Sequence, residues 1–187
     1  PTELLQILDS SIAAGQQAID AGVDKVFLTG SANTGRTVLA RLSQSLTPAT
    51  LELGGCDSVF VTESADLNRV ARCLAYALQL NGGATCIAPR RVFVTPAQLE
   101  PLSSLLIEEL RSVQPTRPVG FQFPLAVVKQ LNATVQQALR EGAQLAHGEL
   151  PDLPSNNPSH HSIRPLVLRG AKPQMNIVRD DIFAPIV

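Results

Sequence analysis

The chain has no tryptophan and only one tyrosine in 187 residues, which removes the aromatic platforms on which nucleic-acid bases stack. Net charge is nearly absent as well. Fifteen Lys and Arg against sixteen Asp and Glu leave −1, too little for a basic footprint on a phosphate backbone. No apolar run approaches the roughly 18 residues needed to cross a bilayer. The start carries neither a charged n-region nor an apolar h-region, so nothing argues for secretion. Cysteine is scarce: Cys56, Cys73 and Cys86 are an odd number without C-x-x-C spacing. They read as thiols of a reducing, cytoplasmic setting, with no disulfide framework and no zinc site. His160 and His161 have no carboxylate or Cys at ligand spacing and read as solvated. The first residue is Pro1, not Met, so the numbering is expected to begin inside a longer or processed chain.

What is present is ordinary globular material, 44% apolar and 17% charged, enough for one core or two small lobes. Residues 4–8 are an apolar run readable as a strand or a helix start. Asp9 and Ser10 offer caps for a helical pattern through Ile19, closed by Gly22. A strand over 25–29 runs into the Gly-rich turn 30–36, and a helix pattern opens with Val38. Strands follow at 50–53 and 58–62. Asp66 begins an amphipathic helix in which Cys73 falls on the apolar period and reads as core filler. A strand at 91–94 precedes Thr95-Pro96-x-Gln98, a capping-box pattern opening a helix to about Val113. Residues 114–124 carry three prolines and read as a connection. A helix over 125–142, a loop over 152–161 and a strand over 163–168 complete the pattern. Alternating strands and helices without internal repeats predict α/β layering with a mainly parallel sheet.

Three stretches carry candidate chemistry. Leu80-Asn81-Gly82-Gly83-Ala84-Thr85-Cys86-Ile87 sets a thiol after a polar, Gly-rich turn between a helix and a strand, where backbone N–H groups are free to face a ligand. Gly30-Ser31…Gly35 joins a strand to a helix, the layout in which helix N-terminal N–H groups bind phosphate. Its G-S-x-x-x-G spacing is neither the G-x-G-x-x-G fingerprint nor a P-loop, and a plain αβ connection reads the same way. Glu52 sits in Leu51-Glu52-Leu53-Gly54-Gly55. A carboxylate in a strand is an exposed edge residue, or a buried one with a raised pKa and a task.

With these pieces placed, the chain resembles the aldehyde dehydrogenase superfamily over its full 187 residues. Asp24-Lys25-Val26-Phe27-Leu28-Thr29-Gly30-Ser31…Gly35-Arg36 is similar to the family's D-K-(V/I)-x-F-T-G-S-x-x-x-G-(R/K) turn. Residues 51–55 match L-E-L-G-G, and Asn81-x-Gly83-x-x-Cys86 matches the N-x-G-Q-x-C nucleophile turn. Asp180-Asp181-Ile182-Phe183-Ala184-Pro185 resembles E-E-I-F-G-P. Pro1 through Leu8 resembles a stretch just upstream in the family, which favours the strand reading there.

The resemblance implies aldehyde oxidation with NAD or NADP. Cys86 would be the nucleophile, passing through a thiohemiacetal and a thioester. Glu52 would be the general base, its apolar strand and flanking glycines raising its pKa. Gly30, Ser31, Gly35 and Leu53 would line the cofactor, Asp181 would hold the nicotinamide ribose, and Phe183 would pack beside the nicotinamide. Residues 1–52 would be a partial dinucleotide-binding lobe and 53–187 a thiol-bearing catalytic lobe, with no metal. Homo-oligomerisation of the full-length form is expected on the same ground. Ala84 stands where the family has Gln, Asp181 is one methylene shorter than Glu, and Cys56 stands where Lys is common. Ala84, together with the lack in these residues of the family's oxyanion Asn and adenine-ribose Lys, keeps a second reading open, a non-catalytic relative acting as an interaction or assembly module. A CoA-acylating dehydrogenase is a third, with Glu52 counting against it.

Overall fold

The computed structural model describes residues 4–112, 123–151 and 163–187. Its internal contacts divide the chain into two units, Pro1–Gly54 and Gly55–Val187, each considered by itself below.

In the first unit, Ser11 rather than Asp9 or Ser10 caps helix α1 (Ile12–Asp20), accepting the Ala14 N–H at 3.2 Å. Asp9 instead accepts the Ser11 N–H at 2.8 Å and so orients the cap. Strand β1 (Val26–Gly30) pairs in parallel with β2 (Ala49–Leu53), in register from Val26↔Ala49 to Gly30↔Leu53. Helix α2 (Ala32–Leu42) connects them. It starts six residues before Val38, where the apolar period becomes visible, because its cap lies inside the Gly-rich turn. Residues 4–8 form no strand and no helix. Leu4 and Ile7 are 84% and 92% exposed, and among the described residues β1 and β2 pair only with each other. A strand needs a neighbouring edge to satisfy its backbone groups, and this apolar run finds none.

The second unit runs β3 (Asp57–Phe60), α3 (Leu67–Gln79), β4 (Pro89–Phe93), α4 (Pro96–Ser112), α5 (Leu125–Arg140), β5 (Gln144–His147), β6 (Val167–Arg169) and α6 (Asn176–Arg179). β3 and β4 are parallel, with the cross-strand pair Phe60 and Phe93 stacked at 4.9 Å. β5 and β6 are antiparallel, and Leu166 bridges Ile186 in parallel. Among the described residues, two of the three strand pairs are therefore parallel, and the α/β class stands. The capping box forms: Gln98 Oε1 accepts the Thr95 N–H at 3.2 Å. The expected 163–168 strand shrinks to Val167–Arg169. The predicted connection at 114–124 and the loop at 152–161 fall mostly or wholly outside the described residues, as do His160 and His161.

Among the described residues, the two larger of three apolar clusters build most of this unit. One packs Leu74 and Leu78 of α3 against Leu102 and Leu106 of α4. The other gathers Val128, Leu131 and Val135 of α5 around Phe123, Leu166, Ile182 and Ile186. Each fully buried Leu contributes about 1.5–3 kcal/mol. Cys73 is in neither cluster. The buried stripe of α3 is Ala71, Leu74, Ala75 and Leu78, which turns position 73 outward, and Cys73 is exposed. The core-filler reading is corrected.

Candidate active site

In the second unit the thiol-bearing turn follows directly from the end of α3. Leu80–Gly83 form a single 3-10 turn in which Asn81, Gly82 and Gly83 all have positive φ, at 51°, 65° and 74°. Glycine adopts this region freely, and Asn is among the few other residues that enter it without a large penalty. Asn81 also closes the turn. Its Nδ2 donates to the Ala84 carbonyl at 3.0 Å, while the Ala84 N–H donates to the Asn81 carbonyl at 3.2 Å.

Gly83 is buried against the far end of the chain. A Cβ at this position would lie 2.5 Å from Pro185 Cβ and 2.6 Å from Pro185 Cα, so only glycine fits. Ala84 is buried in the α5 cluster with Ile182 and Ala184. The small side chain in place of the family's Gln is thus packed against apolar neighbours. These contacts bring the Cys86 turn together with the Asp181–Phe183 segment. Cys86 itself is exposed at the end of the turn, and Phe183 is 36% exposed.

Beneath the turn lies a cluster of ionisable groups that sequence reasoning missed. Arg90, at the start of β4, is only 8% exposed. Its Nη2 donates to the Gly83 carbonyl at 3.2 Å, and its Nε lies 3.9 Å from Asp181 Oδ1. Burial pushes the Asp181 carboxyl above its ordinary range; Arg90 pulls it back and Asp57 adds to the rise. Burial also raises the Cys56 thiol, helped by Asp181 and opposed by Arg91 and Arg90. Arg91 Nη2 donates to the Cys56 carbonyl. The signal that could have revealed Arg90 is a charge set between Ala88-Pro89 and the apolar Val92-Phe93 of a buried strand, where an unassigned cation is costly.

In the first unit, Gly30, Ser31, Gly35 and Leu53 come together. Ser31 caps α2, accepting the Thr34 N–H at 3.1 Å, and the Gly35 N–H donates to the Ser31 carbonyl at 2.9 Å. The N–H groups of Ala32 and Asn33, in the first helical turn, have no intrahelical acceptor. Gly35 is buried against β2, where a Cβ would stand 3.1 Å from both Leu53 methyls, so the helix sits close to the strand. A helix N-terminus with free N–H groups is able to hold a phosphate. Glu52 is exposed in β2 beside its partner Thr29, so the apolar surround expected for it is not formed.

A concavity of about 370 Å³ in the second unit is lined mostly by apolar residues of β4, α4 and β6, together with Arg90, Arg91 and Asp180. Cys86 does not line it. The geometry of the thiol turn, not cavity size, marks the site. No helix among the described residues is long and apolar enough to cross a membrane.

A human protein, aldehyde dehydrogenase family 3 member B1, is 30% identical over 171 residues, covering 91% of this chain and 36% of its own length. The 4,4'-diapolycopene aldehyde oxidase of Methylomonas sp is 28% identical over 191 residues, covering all of this chain and 35% of that protein. The crystal structure of succinate-semialdehyde dehydrogenase from Burkholderia pseudomallei superposes with a TM-score of 0.83 at 28% identity, over 100% of this chain and 39% of that one. The chain thus spans little more than a third of the length of these relatives. The model of the aldehyde dehydrogenase family matches residues 1–187, and the chain belongs to that family.

Proposed function

We propose that this chain carries the nucleophile and part of the cofactor site of an NAD(P)-dependent aldehyde dehydrogenase. The observation that supports this most directly is the Cys86 turn: an exposed thiol follows three positive-φ residues, the last of which, Gly83, packs against Pro185.

In this reading the Cys86 thiolate attacks the aldehyde carbonyl carbon, forming a C–S bond. The carbonyl oxygen becomes an oxyanion, held in part by the Cys86 backbone N–H. NAD(P)+, when bound, supplies the acceptor for the hydride that leaves the former aldehyde carbon. Cys86 then carries a thioester. Glu52 takes a proton from a water molecule, the water oxygen attacks the acyl carbon, and the C–S bond breaks to release the carboxylic acid and the thiolate. The α2 N-terminus with Gly30, Ser31 and Gly35 would hold the pyrophosphate, and Leu53 would line the cofactor beside them. Asp181 would accept from the nicotinamide ribose, with Phe183 beside the ring. Residues 1–52 would be a partial dinucleotide-binding lobe and 53–187 the thiol-bearing lobe.

The test is turnover. Full-length protein given an aldehyde and NAD+ or NADP+ should generate reduced nicotinamide, read by its absorbance, and Cys86→Ala should lose it entirely. Absence of turnover in the wild type, with the variant behaving identically, would favour the inert assembly module.

A further inference from the structure

Arg90 is a buried guanidinium that the reaction above does not use. Its Nη2 takes the Gly83 carbonyl at 3.2 Å, and its Nε faces Asp181 Oδ1 at 3.9 Å, beyond hydrogen-bond range. Nε and Nη1 are buried and have no hydrogen-bond partner among the described residues. Its side chain is 4% exposed and that of Asp181 29%. A cation this enclosed and this incompletely paired does not arise from stability alone, because apolar residues of similar volume generally serve a core as well or better. What sets Arg90 apart is where its two ends reach. One holds the carbonyl of the residue three before Cys86, and the other stands next to the carboxylate assigned to the cofactor ribose.

We propose that Arg90 is a positioning residue that links the two halves of the site. It keeps Asp181 in the carboxylate form able to accept from the cofactor ribose, and it fixes the Gly83 carbonyl so that the nucleophile turn keeps its place. The proposal rests on the functional reading above for the cofactor role of Asp181, though not for the contacts themselves. Burial and the neighbouring Asp57 both favour protonated Asp181; Arg90 is the cation that opposes them. The other groups around this cluster are Cys56, Asp180 and Arg91. The Cys56 thiol is raised and so adds little negative charge near neutral pH. The pH sign follows. Below the raised Asp181 midpoint the carboxyl carries a proton and loses the charge that strengthens its acceptance, so cofactor binding weakens as pH falls. Without Arg90 that midpoint climbs and the weakening begins at higher pH.

Two substitutions separate the parts. Arg90→Gln keeps an N–H donor for Gly83 and removes the charge. Arg90→Lys keeps the charge and loses the planar fork. In full-length protein, Arg90→Gln should raise the cofactor KM progressively on the acid side of the profile, with a smaller change in kcat. The acid limb of kcat/KM for cofactor should move upward by about one pH unit, within the range for loss of one opposite charge. Arg90→Lys should leave that limb in place. Carboxyl carbon-13 NMR of Asp181, assigned by its loss in Asp181→Asn, gives a readout that needs no turnover. Its titration midpoint should rise in Arg90→Gln and stay near wild type in Arg90→Lys. An unchanged midpoint in Arg90→Gln, or equal midpoints in the two variants, overturns the proposal even if the enzyme is active. A shifted midpoint in a protein that oxidises no aldehyde would sustain the electrostatic link and overturn only the catalytic reading.

Discussion

Replacing Gly83 with alanine tests whether the nucleophile turn is seated on Pro185 as described. Two costs add. Gly83 has φ of +74°, where an L-residue loses about 1–2 kcal/mol. The added Cβ would also stand 2.5 Å from Pro185 Cβ, 2.6 Å from its Cα and 2.9 Å from its N. Two of those three atoms are backbone, so no rotamer change relieves the overlap, and crowding of this kind costs about 1–3 kcal/mol. The sum is a loss of about 2–5 kcal/mol. Gly142 supplies the control. Its φ is +103°, yet a Cβ there meets nothing within 4 Å, so Gly142→Ala carries the conformational cost alone. Urea unfolding of wild type and both variants should show Gly83→Ala the less stable by about 1–3 kcal/mol at unchanged m. Alkylation of Cys86 in the folded variant should also change rate, because the turn must shift to make room. Equal destabilisation by the two substitutions, with an unaltered Cys86 rate, would refute the seating.

Thiol labelling should rank the three cysteines. Iodoacetamide should modify Cys86 fastest and Cys56 slowest, since Cys56 is partly buried and its thiol is raised by burial and Asp181, and added cofactor should alter only the Cys86 rate; three equal rates would count against an activated nucleophile. Glu52→Gln should slow steady-state turnover by about 10²–10⁴-fold while leaving a stoichiometric burst of reduced nicotinamide, because the base is needed for deacylation; loss of the burst would move Glu52 to an earlier step. His147 is half-buried, and burial together with Arg111 holds its pKa below 6.5. Its stabilising contribution is therefore complete above 6.5 and is lost as pH falls through the lower folded value. His147→Gln should then show a shallower drop in urea midpoint between about pH 7.5 and about pH 5.5 than wild type; parallel drops would show that His147 does not titrate as described.

Local signals in the sequence carried much of the fold. Asp66 caps α3 through the Asn68 and Arg69 N–H groups, and the Thr95–Gln98 pair opens α4, because capping chemistry is settled within four residues. What escaped depended on partners distant in the chain. The apolar run 4–8 reads as a strand by composition, but strand formation requires an edge that the local sequence does not encode. Cys73 lies on the apolar period of α3, yet which side of a broad stripe is covered depends on where α4 packs. Glu52 could be read as exposed or as buried from its neighbours, and the two-stranded sheet leaves it exposed. Arg90 lies outside every motif that was legible, since its two contacts reach Gly83 and Asp181 from separate stretches.

The same distance argument explains why the Cys86 turn could be recognised in sequence while its rigidity could not. Three consecutive positive-φ residues would not hold their shape in an isolated peptide, because each left-handed residue gives up conformational freedom without a packing return. Here the turn is held from four sides: by the Asn81–Ala84 hydrogen bonds, by Arg90 on the Gly83 carbonyl, by Ala84 in the α5 cluster, and by Pro185 against Gly83. Two of these ties come from the segment that also carries Asp181 and Phe183. A change that frees residues 181–185 must therefore loosen the thiol turn too, and damage to the turn must disturb the carboxylate. Cofactor affinity and thiol reactivity should accordingly fall together in variants of either stretch, even where the substituted residue touches neither ligand.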